Sequence, residues 1–282
     1  CNLVKPQISI VTAIGPQHME RFGSLETTAR AKYEIIEALP TDGAAVFNWD
    51  EPYVRAMYER GYPETRIGVT WQNTDLAMQL RFHARNIETS VKGLKFEVVD
   101  TLTGEEQQFT TRLVGQHNVT NILLAIATAR HLGMSLAEIA LRVASLEPAE
   151  HRLQRRTLPG GVTVIDDAYS ANPVGAQNAL NVLDLYRDGR RVLITPGMVE
   201  LGPIQDEENR TLGRRAAQVC TDIILVGEEQ TRPLQQGIRD AGFPEDRLQV
   251  YDTREEAIAW FNTALEPGDT VLFLNDLPDT YL

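Results

Sequence analysis

Short apolar runs alternate with polar, helix-forming stretches along the first seventy residues. Ile8-Ser9-Ile10-Val11 is rich in β-branched residues, reads as a buried strand, and stops at Gly15-Pro16. Ser24 then supplies an N-cap. In the helix that follows, Leu25, Ala29, Lys32, Tyr33, Ile36 and Leu39 share one face, and Glu26, Arg30, Glu34 and Glu37 the other. Residues 43–47 predict a second strand ending at Asn48-Trp49-Asp50, residues 52–60 a helix, and residues 66–69 a third strand. This rhythm predicts a mostly parallel sheet. From Leu76 to Leu113 the period shortens to two: Leu76, Met78, Leu80 and Phe82 alternate, then Leu94, Phe96 and Val98, then Phe109, Thr111 and Leu113. That pattern predicts antiparallel hairpins within or beside the parallel sheet.

A helix is expected from about Val119 to Leu132, with Gly133 at its C′ position, and Ser135-Leu-Ala-Glu138 is a capping box for the next. Residues 148–156 read as a domain boundary. Beyond it, strands at 162–166, 191–195, 223–226, 248–251 and 270–274 alternate with helices at about 174–187, 206–219, 230–242 and 253–265. The whole reads as an α/β chain: a central, mostly parallel sheet domain with antiparallel hairpins, followed by a Rossmann-like domain.

Composition narrows the functions. At 282 residues the chain has room for two cores, and a net charge of −12 with only four lysines (Lys5, Lys32, Lys92 and Lys95) argues against a nucleic-acid footprint. The two cysteines, Cys1 and Cys220, form no disulfide framework and fit a reducing, cytoplasmic setting. No apolar run reaches transmembrane length. The start at Cys1, almost directly before a strand, suggests a piece of a longer polypeptide. No Gly-Lys pair of a Walker A loop, G-x-G-x-x-G, G-x-S-x-G or H-E-x-x-H is present.

Four groups of residues could carry chemistry. His18, with Glu20 in the loop after the first strand, and Lys32 on the inward stripe of the next helix form one. Alone, they read as a satisfied loop histidine and a snorkelling lysine. Together, His18 could ligate a divalent metal, and Lys32, if buried, could become a carbamate. Gly115-Gln116-His117-Asn118 with Asn121 forms the second: Asn118 could simply cap a helix, or the two amides could meet a purine edge. His151-Arg152 at the boundary could be a solvated pair or could supply a guanidinium to a phosphate. Lastly, Asp166-Asp167-Ala168-Tyr169-Ser170-Ala171-Asn172-Pro173 follows a strand directly. It could be a capped turn, or Asp167 could accept from ribose hydroxyls while Tyr169 and Asn172 shape a cleft.

In order and register these segments resemble the Mur ligases, the ATP-dependent amino-acid ligases of bacterial cell-wall synthesis, and most of all their D-alanyl-D-alanine-adding branch. The resemblance rests on Ile14-Gly-Pro-Gln-His18-Met-Glu20-Arg-Phe-Gly23-Ser24, Ala31-Lys32-Tyr-Glu34-Ile35, Gly115-Gln-His117-Asn118-Val-Thr-Asn121, His151-Arg152-Leu-Gln154, the Asp166–Pro173 segment, and Gly197-Met198-Val-Glu200-Leu201-Gly202. Any one is weak; six in one order are specific.

The resemblance implies a central ATPase domain over residues 1–149, N-terminally truncated, and a C-terminal domain over 150–282. It implies peptidoglycan-precursor chemistry. ATP phosphorylates a substrate carboxylate, an amino acid or dipeptide attacks the acyl phosphate, and an amide forms. The carboxylate belongs to a nucleotide-sugar peptide. Residue by residue, it implies His18 as a magnesium ligand, Lys32 as a lysine carbamylated in many relatives, and His117, Asn118 and Asn121 around adenine. It further implies Arg152 on a phosphate, Asp167 and Tyr169 at the ribose, and Asn172, Pro173 and Glu200 toward the substrate. The catalytic set it implies is Lys32, His18 and Arg152, with ATP and Mg2+ as cofactors.

The phosphate loop, an acidic magnesium ligand and the nucleotide-sugar domain would lie upstream, so the isolated chain is expected to be inactive. The pattern also departs from the family: Gly197 stands for an Asp, Asn209 for a His, and Leu274-Asn275-Asp276 for Lys-Gly-Ser. Those departures support two alternatives, a non-catalytic Mur-like binding module, or a Mur-like ligase subunit working with an amidotransferase that supplies ammonia.

Overall fold

The computed structural model describes residues 4–16, 23–72, 77–169 and 171–275. Two compact units follow each other, meeting in sequence between Glu147 and Pro148.

The first unit is a six-stranded sheet in simple sequential order. β1 (Ile8–Val11), β2 (Ala44–Asn48), β3 (Thr65–Thr70) and β4 (Phe82–Ser90) pair parallel, then β5 (Gly93–Asp100) and β6 (Glu105–Thr111) add two antiparallel hairpins. β2 is buried at all five positions, as a strand covered on both faces must be. Ala45 and Phe47 face one core with Tyr33 and Ile36 of α1 (Leu25–Glu37) and Val54 and Met57 of α2 (Pro52–Glu59). Val46 faces the opposite core, where Phe96 and Phe109 stack at 5.7 Å beneath Leu123 of α3 (His117–His131) and Ile139 of α4 (Leu136–Val143). The expected caps form: Ser24 accepts from Thr27 N at 3.1 Å, and Ser135 and Glu138 close a capping box. The alternation read from Leu76 does not begin a strand. Ala77–Gln79 is a 3-10 turn with Met78 exposed, and the strand starts only at Phe82, where β3 offers a partner.

The second unit is another six-stranded sheet, ordered β11-β10-β9-β12-β8-β7. The parallel strands are β8 (Thr163–Asp167), β9 (Arg191–Thr195), β10 (Asp222–Val226), β11 (Leu248–Tyr251) and β12 (Thr270–Leu274). The sequence pattern did not predict β7 (Gln154–Thr157), an antiparallel edge strand of charged and polar residues that pairs with β8. Helices α5 (Pro173–Leu183), α6 (Gln205–Val219), α7 (Arg232–Asp240) and α8 (Arg254–Ala264) connect the strands. Both sheets are mostly parallel, as expected of the α/β class. β12 lies between β8 and β9, so the chain returns to the middle of the sheet with its last strand. Among the described residues no helix is long and apolar enough to cross a membrane.

α6 and α7 touch backbone to backbone. A Cβ on Gly213 would lie 2.3 Å from Leu234 O, and one on Gly237 2.1 Å from Arg210 O. Gly213→Ala and Gly237→Ala should therefore each destabilise the protein by about 1–3 kcal/mol or more, because rigid carbonyls cannot yield. Gly175 in α5 has only ordinary contacts, the nearest at 3.5 Å. Gly175→Ala should stabilise by up to about 1 kcal/mol. Denaturant midpoints of the three variants check both signs.

Candidate active site

In each sheet the parallel strands run out at one rim, where polar residues must meet the backbone groups that pairing leaves over. In the first unit, Asn48 Nδ2 donates to Thr12 O, just past β1, at 2.9 Å, and Asn48 Oδ1 accepts from Asp50 N at 3.1 Å. Asp50 accepts from Trp71 N at 3.0 Å and from the Thr70 hydroxyl at the end of β3. Burial holds the Asp50 carboxyl above its ordinary pKa, against the opposing pull of Thr70, Trp71, Arg55 and Gln72. The Trp71 indole donates to Thr120 Oγ1 of α3 at 2.9 Å. Sequence reading passed over Asp50, Trp71 and Thr120. The available signal was polar residues placed just after β-branched strands.

Lys32 departs from the expectation. It is exposed rather than inside the apolar stripe of α1, whose buried members are Thr28, Tyr33 and Ile36. At about 100° per residue, position 32 falls to the side of the stripe that runs through 33 and 36. Nζ donates to Ala13 O at 3.2 Å, which places the ammonium against the loop after β1. The burial invoked for a carbamate is absent. His18 and Glu20 lie outside the described residues. Among those described, no group of three or more His, Cys, Asp or Glu side chains gathers to hold a metal. The described residues alone do not form a magnesium site.

α3 begins at His117, so Asn118 lies inside it and does not cap it; Gln116, at the N-cap, makes no side-chain cap bond. Asn118 Nδ2 instead turns back to Val114 O at 2.8 Å, and its Oδ1 accepts from Nδ2 of the exposed Asn121 at 3.1 Å. The two amides thus hold one another, and an amide orientated in this way suits the paired donor and acceptor of a purine edge. Burial pulls the His117 pKa down to about 4, so the imidazole is neutral at pH 7, and its buried Nδ1 has no partner among the described residues.

In the second unit the two adjacent carboxylates have separate surroundings, because successive strand residues face opposite sides. Asp166 Oδ2 is paired with His151 Nδ1 at 2.9 Å and with Arg156 at 3.0 Å. Asp167 Oδ1 accepts from Leu153 N at 3.0 Å, and burial pushes its carboxyl up to about 6 even though Leu153 N–H and Arg152 favour the charged form. The Arg152 guanidinium stacks 4.5 Å from the centre of the exposed Tyr169 ring. The structure therefore gathers Arg152, Asp167 and Tyr169 at one strand end. Asn172 is the N-cap of α5, accepting from Gly175 N at 2.9 Å, with Pro173 in its first turn.

Glu200 stands on the loop after β9 with φ of 61°. Asn209 clamps this loop: Oδ1 accepts from Met198 N, and Nδ2 donates to Met198 O and Gln205 O, each at 2.9 Å. Asn275, at the end of β12, donates to Gly197 O at 2.6 Å and accepts from Ala171 N at 3.1 Å. It ties the loop after β9 to the loop after β8.

The fold is thus of the α/β class, two mostly parallel sheets with polar residues gathered at their strand ends. Residues 1–129 match the Mur ligase middle domain, and residues 151–275 match the glutamate ligase domain of the Mur ligases. The chain belongs to the Mur ligase family. It is 27% identical to the UDP-N-acetylmuramoyl-tripeptide–D-alanyl-D-alanine ligase of Bacillus subtilis over 96% of its own length and 57% of the relative's. Among solved structures it resembles MurF from Acinetobacter baumannii with a TM-score of 0.80, at 24% identity, covering 97% of this chain and 57% of that one. The MurF ligase of Thermotoga maritima in complex with ADP gives a TM-score of 0.79 at 21% identity, covering 98% of this chain and 60% of that one. At these identities the two structures establish the fold. The chain spans somewhat more than half the length of the relatives it matches.

Asp167 sets a pH dependence of stability. Its folded pKa of about 6 lies above the ordinary 3.8. The fold therefore binds more protons than the unfolded chain between those values, and the stability present below pH 4 is lost as pH rises through 6. Asp167→Asn keeps an acceptor for Leu153 N–H and removes the titration. Its unfolding temperature should match the wild type near pH 4 and exceed it increasingly up to pH 6–7; parallel pH profiles would contradict the assignment.

Proposed function

We propose that the chain supplies the nucleotide-handling and substrate-handling parts of an ATP-dependent ligase that joins D-alanyl-D-alanine to the peptide carboxylate of a UDP-N-acetylmuramoyl tripeptide. The observation that carries this reading is the hydrogen-bonded Asn118–Asn121 amide pair at the start of α3, in a chain whose two domains are both those of a ligase family. The ADP bound to the Thermotoga maritima relative supports a nucleotide substrate. ATP would transfer its terminal phosphoryl group to the carboxylate, giving an acyl phosphate that the dipeptide amine displaces to form the amide.

Each side chain has a physical role in this scheme. Asn121, held by Asn118, would donate to and accept from the adenine edge, which separates adenine from guanine. Asp167, largely ionised at pH 7 with its pKa near 6, would accept from ribose hydroxyls. Arg152, flattened against Tyr169, would present its fork of N–H groups to phosphate oxygens and offset the charge gathering on the transferred group. Lys32, hydrogen-bonded to Ala13, would bring a cation to the loop after β1, in its unmodified state. Asn172, Pro173 and Glu200 would border the peptide substrates. A cytoplasmic setting goes with this scheme, supported by Cys220, a free thiol sealed in the core.

In the natural full-length protein, Lys32→Ala should reduce D-alanyl-D-alanine-dependent phosphate release from ATP by about 100-fold or more, the order seen when one charge-stabilising group is removed, and Asp167→Ala should raise the KM for ATP about tenfold, the worth of a hydrogen bond to a charged group. A Lys32→Ala enzyme of wild-type rate would sink the assignment of that lysine. Phosphate release that proceeds equally without the dipeptide would sink the proposed amine.

A further inference from the structure

We propose that Trp71 is a positioning residue for nucleotide recognition, its indole N–H fixing the first turn of α3 so that Asn118 and Asn121 stand ready for a purine edge. The inference rests on the reading that these two amides meet adenine. Thr120, the indole's acceptor at 2.9 Å, lies between Asn118 and Asn121 in the helix. The N-cap residue of α3, Gln116, makes no side-chain cap bond, so the turn that carries the amide pair is braced from the side by this contact.

Trp71 is itself held at both ends. Its ring packs against the core formed by β3, α3 and their neighbours. Its backbone N–H donates to Asp50 Oδ2 at 3.0 Å, while Thr70 donates to the other oxygen. Asp50 N bonds Asn48, and Asn48 bonds Thr12 O beside the Ala13 carbonyl that takes Lys32. A continuous set of hydrogen bonds therefore runs from the loop after β1, across the ends of β2 and β3, to the adenine-facing turn of α3. The indole supplies both the apolar ring and the donor; phenylalanine would keep a smaller ring against the core and carry no donor.

The test uses the natural full-length protein with ATP and GTP as probes. Trp71→Phe and Thr120→Val should each raise the KM for ATP about fivefold, the worth of one ordered hydrogen bond, and lower the preference for ATP over GTP, while kcat stays within about twofold. Thr120→Ser restores the acceptor and should recover wild-type KM and preference. Combining Trp71→Phe with Thr120→Val should be no worse than either alone, since both remove one interaction. Should Trp71→Phe fail to fold, the Thr120 valine and serine pair carries the same contrast. Unchanged KM and nucleotide preference in Thr120→Val would overturn the proposal, as would equal losses in the valine and serine variants. Asn121→Ala, measured alongside, separates the two levels. If it loses nucleotide preference while Thr120→Val does not, the positioning role alone fails. If it too is unchanged, the adenine reading fails and takes the proposal with it.

Discussion

A parallel strand ends in backbone groups that no neighbouring strand can pair, and both rims of this protein depend on side-chain amides to satisfy them. Asn48 bridges the ends of β1 and β2, Asn275 bridges the loops after β8 and β9, and Asn209 clamps the peptide at Met198. An amide offers a donor and an acceptor at once and needs no counter-charge, so it can be buried where a carboxylate or ammonium would require a partner. Each buried amide left half-satisfied would cost about 1–3 kcal/mol, which makes these loops rigid platforms. Glu200 is mounted on one of those platforms.

Gly197, Asn209 and Asn275 are mutually adjusted. Gly197 has φ of 83°, and a Cβ there would lie 2.8 Å from Asn209 Oδ1. Gly197 N bonds Thr195 Oγ1 at 3.0 Å, and Gly197 O takes the Asn275 amide. Glycine at 197, asparagine at 209 and asparagine at 275 are therefore one arrangement, in which a wholly uncharged network fixes the loop that carries Glu200. A side chain at 197 would need a different residue at 209 to make room. This geometry accounts for the neutral wall here, and leaves charge to Glu200, Asp167 and Arg152 at its edge.

Electrostatics at the second rim follow from strand alternation. Asp166 turns to His151 and Arg156, and the Arg156 guanidinium offsets its charge, so it serves the fold. Asp167, one residue on, turns toward the half-buried side where burial raises its pKa and only Leu153 N–H and Arg152 compensate. One carboxylate of the pair stays available to a ligand because its neighbour takes the structural partners.

The sequence by itself determined most of the architecture: β-branched runs, the Ser24 and Ser135 caps and the switch from helical to two-residue period place most strands and helices of the two sheets, because those signals act over a few residues. It also placed Asp167 and Tyr169 directly after a strand, and Arg152 at the domain boundary. What it could not determine were contacts between residues far apart in the chain. β7 carries charged residues at an edge and has no apolar signature, so only pairing with β8 makes it a strand. Lys32 sits beside the apolar stripe of α1 and points to solvent and Ala13, a matter of helix rotation that neighbouring packing settles. Asp50, Trp71 and Thr120 are unremarkable in a linear reading and become one hydrogen-bonded path only when β2, β3 and α3 are brought together. Periodicity is local and survives in one dimension; the pairing of buried polar groups is non-local, and tertiary structure alone decides it.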